Sequence, residues 1–83
     1  MGMNKLPEWF RGKLYKEGDT VKNRFSGKEQ KLSAEELSMY DFIMGAQVMM
    51  EMGISNEIAI IEMRRGLDWF RKNNSKAYKV LLD

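Results

Sequence analysis

With 83 residues, the chain has room for one domain and one modest core, in the size range where burial only just offsets chain entropy. It contains no cysteine and no histidine, so disulfides, thiolate or imidazole metal sites, thiol nucleophiles, Ser/His/Asp triads and histidine acid–base catalysis are excluded within one chain. The formal net charge of +2 conceals a segregated pattern: residues 1–31 carry eight Lys/Arg against four Asp/Glu, residues 32–63 none against six, and residues 64–83 six against two.

Two readings account for an acidic centre between basic flanks. The flanks fold back over the centre, or they present a basic surface to nucleic acid or an acidic partner. No apolar run approaches the roughly 20 residues a membrane span requires, and the segment from Met1 to Pro7 lacks a signal-peptide core. A soluble, cytosolic protein is therefore expected, in keeping with the lack of cysteine.

Residues 1–13 read as an arm. Its Trp9-Phe10 pair is costly to leave in water, so the arm is expected to dock on the helices, with Pro7 opening a short helical turn. Over residues 14–32 the period falls to two, with Val21, Asn23 and Phe25 on one side and Thr20, Lys22 and Arg24 on the other. Glu17-Gly18-Asp19 marks a turn before this run, Ser26-Gly27 breaks it, and Glu29 to Leu32 returns, which predicts a β-hairpin. Two strands alone are marginal in water, so the hairpin must pack on a helix or on a second copy.

A helix over residues 33–53 is bounded by a capping box, Ser33 with Glu36, and by the left-handed stop that Gly53 offers. At helical spacing Met39, Phe42, Ile43, Ala46, Met49 and Met50 gather in one arc, while Leu37, Met44, Val48 and Met52 gather nearly opposite. One arc faces the core, and the other needs a cover, from the same chain or another molecule. A second helix over residues 55–73 opens at Ser55 or Asn56 and carries a core stripe of Ala59, Ile60, Met63, Leu67 and Phe70. The short linker from Gly53 to Ser55 forces an antiparallel helical hairpin. Asn73-Asn74 interrupts, and residues 75–82 form a short last helix with Tyr78, Leu81 and Leu82 inward. The predicted fold is α+β, a single domain in which an N-terminal arm and a β-hairpin pack on an antiparallel helix pair with a short C-terminal helix.

The constellations that could carry function are few. Leu37, Met44, Val48 and Met52 form a candidate self-interface for a homodimer, since thioether side chains repack readily. Gly45-Ala46 and Gly66 remove bulk in mid-helix, which points to a close crossing, of the two helices or of symmetry-related copies. Trp69 with Arg65 and Lys72 resembles a binding hot spot, or is where the Trp9-Phe10 arm lands. Lys22, Arg24, Lys28 and Lys31 sit on or beside the hairpin, where a basic ribbon could contact nucleic acid, although edge lysines also guard against aggregation. The carboxylates are the only candidates for chemistry. Nothing among them resembles a calcium loop, and Asp41, between the apolar residues of the second helical face, needs an arginine such as Arg64 or Arg65 if that face is buried.

The run Gly18-Asp19-Thr20-Val21, Asn23, Phe25-Ser26-Gly27, continuing through Leu32 to Glu36 and Tyr40-Asp41-Phe42-Ile43-Met44-Gly45-Ala46-Gln47, resembles a family of small proteins from tailed phages of marine cyanobacteria, the cyanomyovirus group. The likeness closes with Gly66-Leu67-Asp68-Trp69-Phe70-Arg71 and Ala77-Tyr78 to Asp83, and so covers nearly everything from Leu6 onward. The family has a proline before the aromatic of the turn, where this chain has Arg24. No activity is attached to it. The resemblance implies a phage accessory protein that works in the host cytoplasm and binds a host or virion protein, and it implies no site residues.

The sequence thus points to a non-enzymatic protein-interaction module, dimeric through the second apolar face, without cofactor or metal. The alternative is a nucleic-acid-binding accessory protein that uses the hairpin lysines.

Overall fold

The structure, a computed structural model, describes residues 6–23, 25–54 and 56–82. Antiparallel strands β1 (Asp19–Lys22) and β2 (Glu29–Leu32) pair Asp19 with Leu32, Val21 with Gln30, Thr20 with Lys31 and Lys22 with Glu29. Alternation then puts Val21, Gln30 and Leu32 on the inner face and leaves Thr20, Lys22, Glu29 and Lys31 exposed on the outer one. Asn23 closes the loop: its Oδ1 accepts from the backbone N–H of Phe25 (2.8 Å) and Ser26 (3.1 Å), while its Nδ2 donates to the Val80 carbonyl at 2.8 Å. Gly27, at φ 78°, supplies the left-handed residue this loop requires. Phe25 therefore lies in the turn, 86% exposed, and not on the inner face that simple alternation assigns to it. Two-residue periodicity ends where the Asn23 turn begins.

Helix α1 (Ala34–Glu51) opens with the expected capping box, Ser33 Oγ accepting from Glu36 N–H and Glu36 Oε1 accepting from Ser33 N–H. It closes on Gly53 (φ 84°), whose N–H donates to the Met50 carbonyl while that of Ile54 donates to Met49, the pair of bonds of a Schellman motif. Helix α2 (Glu57–Asn73) starts at Asn56, whose Oδ1 accepts from Ile58 and Ala59 N–H. Ser55, the other predicted cap, lies outside the described residues. Asn74 then serves as a joint. Its backbone N–H ends α2 on the Phe70 carbonyl, its Oδ1 accepts from Ala77 N–H to start α3 (Ser75–Leu81), and its Nδ2 reaches Glu36 Oε2 at 3.1 Å. Glu36 is 6% exposed, so two of its acceptor positions are satisfied by groups that also fix helix ends.

The core is Leu32, Met39, Ile43, Phe70, Ala77 and Leu81. Helix α2 crosses α1 at Gly66, where an added Cβ would stand 3.1 Å from Met39 Sδ and 3.2 Å from Ile43 Cγ1. The other mid-helix glycine behaves differently: nothing approaches within 4 Å of a Cβ at Gly45. Of the two, only Gly66 marks a close crossing of helices within the chain. Asp41 is exposed and therefore has no need of the buried arginine partner foreseen for it. The arm does dock. Phe10 N–H donates to the Pro7 carbonyl in a single turn, and the Trp9 and Phe10 rings lie 6.1 and 5.4 Å from that of Phe42. Tyr15 N–H donates to the buried Ser38 Oγ at 2.9 Å, which itself donates to the Ala34 carbonyl. Among the described residues no helix is long and apolar enough to cross a membrane.

The two glycines make a paired prediction. Gly66→Leu forces a side chain against fully buried Met39 and Ile43 and should destabilise the fold by about 1–3 kcal/mol. Gly45→Ala meets open space and should stabilise by about 0.5–1 kcal/mol through helix propensity. Urea unfolding of both variants, followed by circular dichroism, reads the opposite signs.

Candidate protein-interaction surface

Strand β2 and helix α3 pack at the Ala34 end of α1 and the Asn73 end of α2, and the N-terminal segment packs on Phe42 and reaches Glu62 in the second turn of α2 through Arg11. Helix α1 runs on from Phe42 to Glu51, about 13 Å of further helix. Within that stretch Ile43 is sealed and Met44, Ala46 and Gln47 are half-buried, and every residue from Val48 to Glu51 is exposed. The tip formed by the end of α1, the linker and the start of α2 therefore exposes Val48 (45%), Met49 (43%), Met50 (40%), Met52 (69%), Ile54 (51%), Ile58 (60%) and Ile61 (47%). These are seven of the nine large hydrophobic residues exposed among the described residues, so the apolar surface is concentrated rather than scattered.

A cleft of about 300 Å³ opens beside the tip between the helices. Gly45, Ala46 and Met49 of α1, Ala59 of α2 and Gly12 of the N-terminal segment line it, and its charged residues are Lys13, Asp41 and Glu62. Glu62 is already matched, its Oε2 lying 2.8 Å from Nη2 of Arg11. Among the described residues that ion pair links the basic N-terminal segment to the acidic centre, whereas the ion pairs of Asp68 lie within α2 itself.

The predicted self-interface divides in two. Leu37 is half-buried against the core, and Met44 is half-buried in a groove it shares with Lys22, Phe25, Tyr40 and Leu82. Val48 and Met52 belong to the exposed tip. The face is thus not continuous, because the hairpin and the C-terminal segment close over its first half. Met49 and Met50, assigned by periodicity to the inward arc, are exposed for the complementary reason: their arc points inward, but the core ends before it reaches them. Ile54 went unnoticed in the sequence, although an apolar Met-Gly-Ile linker where polar turn residues are usual is the signal that marks it.

The second candidate surface is gathered but partly occupied. Arg65, Trp69 and Lys72 line a shallow depression together with Pro7 and Trp9 of the arm. Trp69 is half-buried, its ring edge-on to Phe70 at 6.2 Å, and Lys72 Nζ lies 3.2 Å from Asp68 Oδ2. Among the hairpin residues, Lys22 and Lys31 share the outer face and Lys28 is exposed beside it, but Glu29 stands directly opposite Lys22. Arg24 lies outside the described residues. Among the described residues there is no group of three or more metal-ligating side chains.

Hydrogen bonds from Lys72 and Arg71 hold the Asp68 carboxyl below its ordinary value of 3.8. A lowered folded-state pKa stabilises at pH values above the unfolded one, and the contribution is lost as pH falls through the lowered value. Asp68→Asn should therefore lower stability slightly at neutral pH and leave it unchanged once the carboxyl of the natural chain is protonated, so that the acid limb of the stability–pH curve flattens, as thermal unfolding across a pH series would show.

No family model, curated protein or solved structure matches the chain.

Proposed function

We propose that the chain is a non-enzymatic protein-interaction module and that the apolar tip of the helical hairpin is its docking surface. The observation that carries this reading is the concentration of exposed apolar side chains between Val48 and Ile61, against two such residues, Leu14 and Phe25, in the rest of the described chain. A contiguous apolar patch on a small domain is stabilised by a partner that removes it from water. Methionine supplies three of the seven side chains, and its flexible thioether adapts to a partner's contour at little cost. The non-enzymatic part of the proposal rests on the residue types present, since neither histidine nor cysteine is available to act as base or nucleophile. The phage resemblance would make the partner a host or virion protein.

The competing reading, nucleic-acid binding, has one observation in its favour: Lys22, Lys28 and Lys31 are all exposed on or beside one hairpin face. Glu29 within that face weakens it. Parallel selections from a random peptide library and a random oligonucleotide library on the immobilised chain separate the two. We expect peptides to enrich on the natural chain and to be lost when Met52 and Ile58 are both changed to Lys. Enrichment of oligonucleotides that depends on Lys22 and Lys31, with no tip-dependent peptides, would reject the proposal.

A further inference from the structure

At about 100° per residue, Ile58, Ile61 and Arg65 share one stripe of α2, within an arc of about 60° and turned away from the buried Gly66 and Phe70. Ile58 and Ile61 are 60% and 47% exposed, and Arg65 is exposed as well. Glu57 and Arg64, seven residues apart, stand together along one edge of this stripe, within about 20° of each other. Both are exposed, and among the described residues neither takes part in an ion pair. The other carboxylates of the helix are already paired. Glu62, one residue past Ile61, is turned by about 100° to the cleft side and meets Arg11, and Asp68 is held by Arg71 and Lys72.

The stripe is therefore complementary to itself. If two copies lie antiparallel with a twofold axis at Ile61, each edge of one α2 faces the same edge of the other. Glu57 lies four residues before that axis and Arg64 three after it, so Glu57 of one copy and Arg64 of the other stand within about 1.5 Å of the same height, twice over by symmetry. Ile61 meets its counterpart, and Ile58 meets the alkyl stem of Arg65. Antiparallel helix dipoles favour the same sense, whereas a parallel pair would set Glu57 against Glu57. We infer that the outer face of α2 from Glu57 to Arg65 is a self-interface, on which a second copy docks antiparallel through Ile58, Ile61 and reciprocal Glu57–Arg64 ion pairs. The contact runs along about 12 Å of helix and is smaller than a standard interface, so the dimer is weak and reversible. This inference rests on the docking reading proposed above for the α2 side of the tip, and it leaves Val48, Met49, Met50 and Met52 to another partner.

Sedimentation equilibrium on the full chain, over a concentration series up to about 1 mM, tests it. The natural chain should pass reversibly from monomer to dimer. Glu57→Arg and Arg64→Glu should each weaken the dimer by about tenfold or more, because each sets like charges opposite one another at two places. An equimolar mixture of these two variants should pair again to within about threefold of the natural chain, since opposite charges then meet at both places. That recovery also reports that both variants are folded. Ile61→Lys should dissociate the dimer with circular dichroism unchanged, whereas Val48→Lys, on α1, should leave it intact. A dimer indifferent to Glu57→Arg and Arg64→Glu, a mixture that does not recover, or a dimer dissociated by Val48→Lys would each overturn the inference. A monomer at every concentration would overturn it too, and the peptide selection then decides the docking reading separately: tip-dependent peptides keep that reading, and their absence removes both.

Discussion

The crossing of α2 over α1 at Gly66 fixes where the rest of the molecule can be. Because that position has no side chain, Met39 and Ile43 reach the backbone of α2 and are sealed completely, and Phe70, one helical turn further on, completes the same layer. Contact is set at the Ala34 side of α1, so the short elements that can add to the core are drawn to that side. Leu32 of β2 and Ala77 and Leu81 of α3 fill it. A chain of this size has one core to build, and building it at one end of a helical hairpin leaves the other end without cover.

Polar groups lock this arrangement as firmly as the apolar ones. Asn74 joins two helix termini and holds the buried Glu36, and Asn23 ties the hairpin loop to the carbonyl of Val80. Ser38 anchors the segment between the arm and the hairpin at Tyr15. The bonds from Tyr15 to Ser38, Asn23 to Val80 and Asn74 to Glu36 span long sequence separations and satisfy part-buried groups. Among the described residues no buried side-chain nitrogen or oxygen is without a partner. Such bonds add modest net stability, but their loss would leave desolvated groups unpaired. They therefore specify one packing of the short elements over its alternatives.

The consequence for function is a division of labour along the helix pair. One end is saturated with internal contacts, and the other presents Met and Ile side chains to water. An exposed patch of that kind favours association, because contact with another surface removes it from water. The arm contributes indirectly. Arg11 pairs with Glu62 beside the cleft, and Gly12 and Lys13 line its wall.

Local chemistry made much of this legible in advance. The capping box at Ser33, the glycine stop at Gly53, the hairpin and the three helices follow from nearest-neighbour hydrogen bonding and periodicity, which depend only on residues a few positions apart. The docking of Trp9 and Phe10 was legible as well, because two adjacent aromatics must be covered somewhere. What the sequence by itself could not determine is how far along each helix the core extends. Met39 and Met50 belong to the same predicted arc, yet one is sealed and the other is 40% exposed. Gly66 and Gly45 are both mid-helix, yet one is a crossing and the other faces open space. Leu37 and Met52 share a face, yet the fold half-buries one and exposes the other. Periodicity fixes the angle of a side chain about its helix and says nothing of its position relative to elements far away in the chain. That position is decided by tertiary packing, which here concentrates its contacts around Gly66 and leaves the acidic, methionine-rich tip open.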